Sequence, residues 1–422
     1  MQIAKKYNNI ACIILAAGRG TRMKSSLPKV LHRISGRTML EYVLELVRPF
    51  SFKPTIVVVG YKGKDVARFA KGVKIVTQKR LLGSGNAVLS AKDALKKFRG
   101  DVVILYGDTP FIRQQTLNGL IEQHKSKDAA CTVLTTRLKD PTGYGRILRD
   151  DRGDIVRIVE ENELLPNDKV INEINIGAYC FNAENLFEAL KGVKTDNKKK
   201  EYYLTDIIAL LRKKNLKIES IYTDNEEEAL GINSREELSR AERIMRDRAL
   251  KKFLEEGVTI IDPSNTYIDI SCAIGKDTVV KPFTIIEENV KIGSNCIIGP
   301  FARIRPRTKL SDRVEIGNFV ELVRSVISSG TKIKHHSYIG DAIIGKNVNI
   351  GAGTITANYD GKKKNKTVIK DSAFIGSGTI FIAPLTVGKR AITGAGSVLT
   401  KKTVVPDNSV VVGVPARILR KK

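Results

Sequence analysis

Two hydrophobic periods divide the chain. Up to about residue 233, short apolar runs alternate with longer stretches whose apolar residues recur at helical spacing. Aliphatic runs bounded by glycine or polar residues predict buried strands. They fall at residues 10–15, 55–59, 74–77, 102–106, 130–135 and 176–181. Strands alternating with helices predict an α/β domain over residues 1–233, Rossmann-like, with a parallel sheet and helices on both faces. Ligands of such sheets bind beyond the carboxyl ends of the strands. Ser234-Arg235-Glu236-Glu237 reads as a capping box, and Leu238, Ala241, Met245, Ala249 and Leu250 follow at helical spacing. Residues 234–256 are therefore expected to form one charged linker helix at a domain boundary.

From residue 257 to 422 the period changes to six. Ile268, Ile274, Val280, Ile286, Ile292, Ile298, Ile304, Leu310, Ile316 and Leu322 recur without a miss, and many of these aliphatics precede glycine. The frame slips after Leu322 and resumes with Ile333 and Ile339, Ile344 and Ile350, Ile369 and Ile375, and finally Ile392, Val398, Val404 and Val410. One inward aliphatic per six residues predicts a parallel β-helix with three faces to a coil. Residues that depart from the period are the candidates for chemistry: His335-His336, Asn358-Tyr359-Asp360, and a lysine-rich excursion at 361–366 long enough to leave the coil as a loop.

Composition changes this picture little. A chain of 422 residues is long enough for two or three domains. No apolar run approaches the ~20 residues that span a bilayer. The run at 10–17 is too short for a signal-peptide core and leads into Gly-Arg-Gly-Thr-Arg, not a cleavage site. The expectation is a cytoplasmic protein with no membrane partner. Cys12, Cys131, Cys180, Cys272 and Cys296 lack metal-ligand spacing, which favours reduced, mostly buried thiols. The net charge of +27 first suggests nucleic acid. With no Trp, no nucleic-acid module and no aromatic-interleaved basic stripe, a solvated lysine-rich surface that attracts phosphorylated small molecules explains it better.

The candidate chemistry begins at residues 15–29, LAAGRGTRMKSSLPK. Ala16, Ala17, Gly18 and Gly20 leave the backbone N–H groups free to close on a polyphosphate. Arg19, Arg22 and Lys29 add positive charge to the same turn. The pattern is neither a dinucleotide fingerprint nor a P-loop. Gln78, Gly83-Ser84-Gly85 and Tyr106-Gly107-Asp108 fall at further strand ends. Asp108 has two readings, a cap for a helix beginning near Thr109-Pro110 or a Mg²⁺ ligand. Glu160 and Asn175 suit sugar hydroxyls, and each also reads as ordinary surface.

LAAGRGTRMKSSLPKVLH, QKRLLGSGNA, LYGD, DPTGYGRI, EINIGAY and EYYLTDIIAL occur in that order, followed by IGPFARIRP, VEIGNFVE, HSYIGDAIIG, NVNIGAGTITANYDG and FIGSGT. Together they resemble the bifunctional N-acetylglucosamine-1-phosphate uridylyltransferase/glucosamine-1-phosphate N-acetyltransferase family through nearly the whole chain. The resemblance implies a left-handed β-helix and a homotrimer. It also implies UTP, N-acetylglucosamine 1-phosphate, glucosamine 1-phosphate and acetyl-CoA as substrates, with Mg²⁺ as cofactor. Gly18, Arg19 and Lys29 would hold phosphates, while Gln78, Gly83 and Ser84 read uracil. Leu15 and Tyr106 would line the same nucleotide and sugar pocket. Asp108 and Asn233 would hold Mg²⁺, and Gly145, Glu160 and Asn175 the amino sugar. In the β-helix, His335 would be the general base. Arg305, Tyr338, Asn349 and Lys364 would form the sugar-phosphate pocket, and Asn358, Tyr359, Ser377 and Ala395 would surround acetyl-CoA.

Three departures stand against that pattern. Val323 occupies a place where the family usually has lysine, with Arg324 after it as a substitute. Gly413 stands where an arginine is usual, and the β-helix looks about two coils short before Gly299. The alternative reading is therefore uridylyl transfer alone, with the β-helix as a trimerisation scaffold. A non-enzymatic interaction protein built from the same two domains is disfavoured by the intact Arg19, Arg22, Lys29, Asp108 and Asn233.

Overall fold

The computed structural model of the protein describes residue 7 and residues 9–419. The chain separates into two compact units, Met1–Ala241 and Glu242–Lys422, and passes from one to the other within a helix, Arg235–Glu255. Its amino end carries the expected capping box. Ser234 Oγ accepts from Glu237 N at 3.2 Å, and Glu237 Oε2 accepts from Ser234 N at 2.7 Å.

The first unit is built on one sheet. Its main path runs Ile218–Tyr222, Cys131–Arg137, Glu173–Asn182, Asp101–Tyr106, Ile10–Ala16, Thr55–Val59 and Lys74–Thr77. The central strand Ile10–Ala16 is buried along its whole length because both its faces are covered. Cys12, Ile14 and Ala16 enter one hydrophobic cluster, and Ala11, Ile13 and Leu15 enter another on the opposite face. The all-parallel expectation fails at one strand. Glu173–Asn182 runs antiparallel to both Asp101–Tyr106 and Cys131–Arg137. The reason lies in its connection. A hairpin, Arg146–Arg149 with Ile155–Val159, precedes it where a crossover α-helix would be needed to restore a parallel direction.

The second unit is a parallel β-helix whose short strands carry one exposed and one buried residue each, as in Ile285–Ile286 and Arg303–Ile304. Tyr267 pairs with Ile285 and Ile285 with Arg303, eighteen residues on each time, which is three hexapeptides per coil. The slipped frame is two coils of seventeen residues, seen in Lys309 pairing with Val326 and Val326 with Ile343. The lysine-rich excursion accounts for the next step, Asn349 to Phe374. Corners turn through left-handed residues, among them Asn289, Asn295, Asn347 and Asn408, the residue type that tolerates that conformation best after glycine. Two buried threonines have their hydroxyls satisfied, Thr278 donating to Gly293 O at 2.9 Å and Thr331 to Gly345 O at 2.7 Å, whereas the buried hydroxyls of Thr284, Thr308 and Thr367 find no partner among the described residues. The five cysteines are free and buried. Among the described residues, no helix is long and apolar enough to cross a membrane.

Candidate active sites

Leu15, Gly18, Arg19, Lys29, Gln78, Gly83, Ser84, Tyr106 and Asp108 line one cavity of about 400 Å³ at the carboxyl ends of the strands. Gly20 is required there. Its φ is +65°, and a Cβ would lie 2.6 Å from Lys29 Cβ, so glycine lets the loop fold onto Lys29. A Cβ on Gly18 would meet nothing within 4 Å, which leaves that stretch of backbone open to a ligand.

The Lys29 ammonium contacts Asp108 Oδ2 and donates to Asn233 Oδ1 at 2.8 Å. A carboxylate and an amide oxygen thus converge on one cationic atom, a donor set suited to a hard divalent ion. The helix-cap reading of Asp108 is corrected here. The next helix begins only at Gln114, after a turn, and Asp108 caps nothing. Gln78 is buried and donates through Nε2 to Gly83 O at 3.1 Å and Asn86 Oδ1 at 2.9 Å, which leaves its Oε1 as an acceptor. Arg235 was not among the expected residues. It donates to Met23 O at 3.2 Å and reaches His32 Nδ1 at 3.4 Å, tying down the loop that carries Arg19.

Gly145, Glu160 and Asn175 come together beside this cavity. Asn175 N donates to Gly145 O at 2.9 Å, and a Cβ on Gly145 would lie 3.8 Å from Glu160 Oε2. Two positioning groups escaped the sequence reading. Tyr179 accepts from Asn175 Nδ2 at 2.6 Å, and Thr205 Oγ1 donates to Glu160 Oε1 at 2.8 Å. Thr205 lies inside EYYLTDIIAL, where only the motif and no residue was singled out. Tyr106, which lines the cavity with Ser84, is felt electrostatically by Glu160, so it lies between the expected uracil side and the sugar side. Gly177, at φ +91° in the irregular register after Asn175, makes room for the Tyr106 ring, 2.9 Å from where its Cβ would be.

The same corner is rich in carboxylates. Burial raises Glu160, against the Thr205 hydroxyl and Lys199. Asp206 is pushed up to about 6, by burial first and then by Glu160, Asp196 and Glu163. A carboxyl raised above its unfolded value costs no stability while protonated in both states, and costs progressively more as pH rises through about 6. Asp206→Asn is therefore expected to raise the melting temperature, with the gain over wild type small at pH 4 and largest at pH 7.5. Thermal melts across that range check this; a gap independent of pH would contradict it.

In the second unit, register places the expected residues on two edges. Asn318 pairs with His335. Gly353 N bonds His336 O, Gly378 N bonds Ala352 O and Gly396 N bonds Ser377 O, so His335, Ala352, Ser377 and Ala395 follow one another along successive coils. His335 is exposed, and its Nδ1 lies 3.2 Å from Asn318 Oδ1, a partner that the sequence reading missed. His336 does not simply face the other way, as strand alternation led us to expect. With φ +35° it sits where the strand Lys332–Gly340 bends, and both histidines are exposed.

The other edge gathers around Asp341, also unanticipated. Arg324 grips it with Nε to Oδ1 and Nη2 to Oδ2, both 2.7 Å, and Asn358 Nδ2 donates to Oδ2 at 2.5 Å. Arg324 and Asn358 hold Asp341 below the usual carboxylate range. Val323 is buried. Arg305 Nη1 bonds Glu321 Oε1 at 2.8 Å, and Glu321 is paired in register with Tyr338. Tyr359 forms an isolated bridge with Lys364 across the lysine-rich loop. Asn349 lies apart from this edge, paired with Lys332 and Phe374.

Comparison with known proteins covers both units. The chain is 42% identical to "Bifunctional protein GlmU" of Shouchella clausii (strain KSM-K16), over 92% of this chain and 93% of that protein. The chain belongs to the GlmU family. Its GlmU relatives include the Pelotomaculum thermopropionicum protein, 43% identical over 89% of this chain and 90% of that one. The protein from Clostridioides difficile (strain 630) is 40% identical over 98% and 96%. Within the GlmU frame, residues 12–257 match the MobA-like NTP transferase domain, and residues 271–306 match the bacterial transferase hexapeptide of six repeats. Residues 294–415 match the GMPPB C-terminal domain.

Proposed function

We propose that this chain makes UDP-N-acetylglucosamine by two reactions, one on each unit. The β-helix transfers acetyl from acetyl-CoA to the amine of glucosamine 1-phosphate. The α/β unit then joins N-acetylglucosamine 1-phosphate to the uridylyl group of UTP, with pyrophosphate leaving. The observation that carries the reading is the meeting of Asp108 and Asn233 on the Lys29 ammonium, with Lys29 and Asp108 lining the same cavity as Gly18, Gly20 and Gly83.

In uridylyl transfer the sugar's phosphate oxygen attacks the α-phosphorus in line, so no protein nucleophile is needed. The protein positions two polyanions and neutralises their charge. Lys29 and Arg19 do this on the phosphates, and the free Oε1 of Gln78 suits the imide N–H of uracil. Asp108 and Asn233 would hold Mg²⁺. Among the described residues no three His, Cys, Asp or Glu side chains form a metal cluster, so phosphate and water would complete the shell. Bound there, the ion would supply further neutralisation of phosphate and leaving-group charge. Glu160 and Asn175, held by Thr205 and Tyr179, would orient the amino sugar.

For acetyl transfer, Asn318 Oδ1 accepting the Nδ1 proton leaves the lone pair of His335 on Nε2. Nε2 takes the proton as the amine attacks the thioester carbon. The new C–N bond forms, the C–S bond breaks, and the departing sulfur takes that proton back from Nε2, so coenzyme A leaves as the thiol. Arg305 and Lys364 would meet the sugar phosphate. Arg324, committed to Asp341, is a poor replacement for the family's lysine, so acetylation is expected with a raised KM.

One assay tests the whole reading: purified protein with glucosamine 1-phosphate, acetyl-CoA, UTP and Mg²⁺ should yield UDP-N-acetylglucosamine. Product formed only when N-acetylglucosamine 1-phosphate is supplied would leave the β-helix as a scaffold. Flat-sided coils built from hexapeptides also suit self-association, and we propose a homotrimer through the β-helix. Light scattering at micromolar concentration should give three times the chain mass of 46.6 kDa; a monomer mass would end that idea.

A further inference from the structure

We propose that Asp360 is a positioning residue for sugar-phosphate binding, acting through Lys364; the inference rests on acetyl transfer by the β-helix. Residues 361–366 carry four lysines with a single asparagine and glycine between and before them. Such a run, exposed and self-repelling, would ordinarily be ill-defined. Here it is wrapped around one carboxylate. Asp360 Oδ1 accepts from the backbone N–H groups of Lys362, at 3.1 Å, and Lys363, at 2.9 Å. Its Oδ2 accepts from Asn365 Nδ2 at 2.9 Å and from Lys401 Nζ at 3.4 Å. Lys401 is forty-one residues away in sequence, so this contact ties the loop to another part of the β-helix. The ring closes with Asp360 N to Lys363 O at 3.2 Å and Asn365 N to Asn358 O at 2.7 Å. Lys364 is set at the turn, bridged to Tyr359, whose hydroxyl donates to Gly361 O at 2.7 Å. The strong hydrogen bonding keeps the Asp360 carboxyl far below its usual range, so it is ionised at any working pH.

Charge and positioning make opposite forecasts, which is what renders the idea testable. A carboxylate four residues from a phosphate-binding lysine repels phosphate. If Asp360 acts only as a charge, removing it should lower the KM for glucosamine 1-phosphate. If it holds Lys364 in place, removing it should raise that KM, because a loose lysine loses its pre-set orientation.

Asp360→Ala is therefore expected to raise the KM for glucosamine 1-phosphate by on the order of tenfold, with kcat changed by no more than about twofold. Uridylyl transfer, in the other unit, should not change. Asp360→Asn keeps an oxygen for the two backbone donors but turns an amide NH₂, itself a donor, toward Asn365 and Lys401, and should fall between. A second readout needs no activity. Trypsin should cut wild type slowly at Lys362–Lys364, and Asp360→Ala several times faster at those bonds alone, located by mass spectrometry. An unchanged or lowered KM with unchanged cleavage would overturn the proposal. Wild type that acetylates nothing would overturn the acetyl-transfer reading instead, and the cleavage rate would still decide whether Asp360 orders the loop.

Discussion

His335→Ala is expected to bring acetyl transfer to glucosamine 1-phosphate close to background, while His336→Ala retains most of it and both keep normal uridylyl transfer. An amine attacks a thioester only as the free base, so a group able to take a proton near neutral pH is needed. A positioned general base contributes on the order of 10² to 10⁴ in rate. His335 is exposed and held by Asn318 at 3.2 Å, whereas His336 has no side-chain hydrogen bond of that kind among the described contacts and stands at the bend beside it. Neither side chain contributes to the core of the β-helix, so both variants should fold. Release of coenzyme A thiol, followed with a thiol reagent, gives the rate. Wild-type turnover in His335→Ala would remove it from the mechanism, and equal loss in both variants would assign the effect to the shape of the bend.

Asp108→Ala should lower the kcat of uridylyl transfer by on the order of 10²-fold or more, the usual consequence of losing one electrostatic stabiliser. The fold should survive. Asp108 lies two residues beyond the strand Asp101–Tyr106, caps no helix, and makes its side-chain contact with Lys29. The variant removes the one carboxylate that converges with Asn233, so its residual activity should also need more Mg²⁺. Pyrophosphate release against Mg²⁺ concentration measures both effects, and circular dichroism checks the fold. A folded variant with unchanged turnover and unchanged Mg²⁺ dependence would show that the contact with Lys29 is merely structural.

Much of the architecture was written in local pattern. The apolar run from Ile10 marks a strand buried on both faces, and the six-residue recurrence of aliphatics from Ile268 to Leu322 sets the inward position of each β-helix face; near the carboxyl end the inward residues are Thr393, Leu399, Val405 and Val411, one place after the expected Ile392, Val398, Val404 and Val410. Burial of one residue depends mostly on its own character and that of near neighbours, so periodicity carries it. The capping box at Ser234 is legible for the same reason, since its partners lie three residues apart.

Direction and partnership were decided elsewhere. The antiparallel course of Glu173–Asn182 follows from the hairpin before it, and an apolar strand reads alike in either direction. Two coils of seventeen residues appear in sequence only as a slipped frame. Lys29 meets Asp108 and Asn233 across 79 and 204 residues, Asn318 meets His335 across 17, and Lys401 meets Asp360 across 41. Hydrogen bonds and ion pairs form between whatever groups packing brings within about 3 Å. No short-range spacing encodes that, so the sequence supplied the chemical groups and the tertiary structure chose their partners.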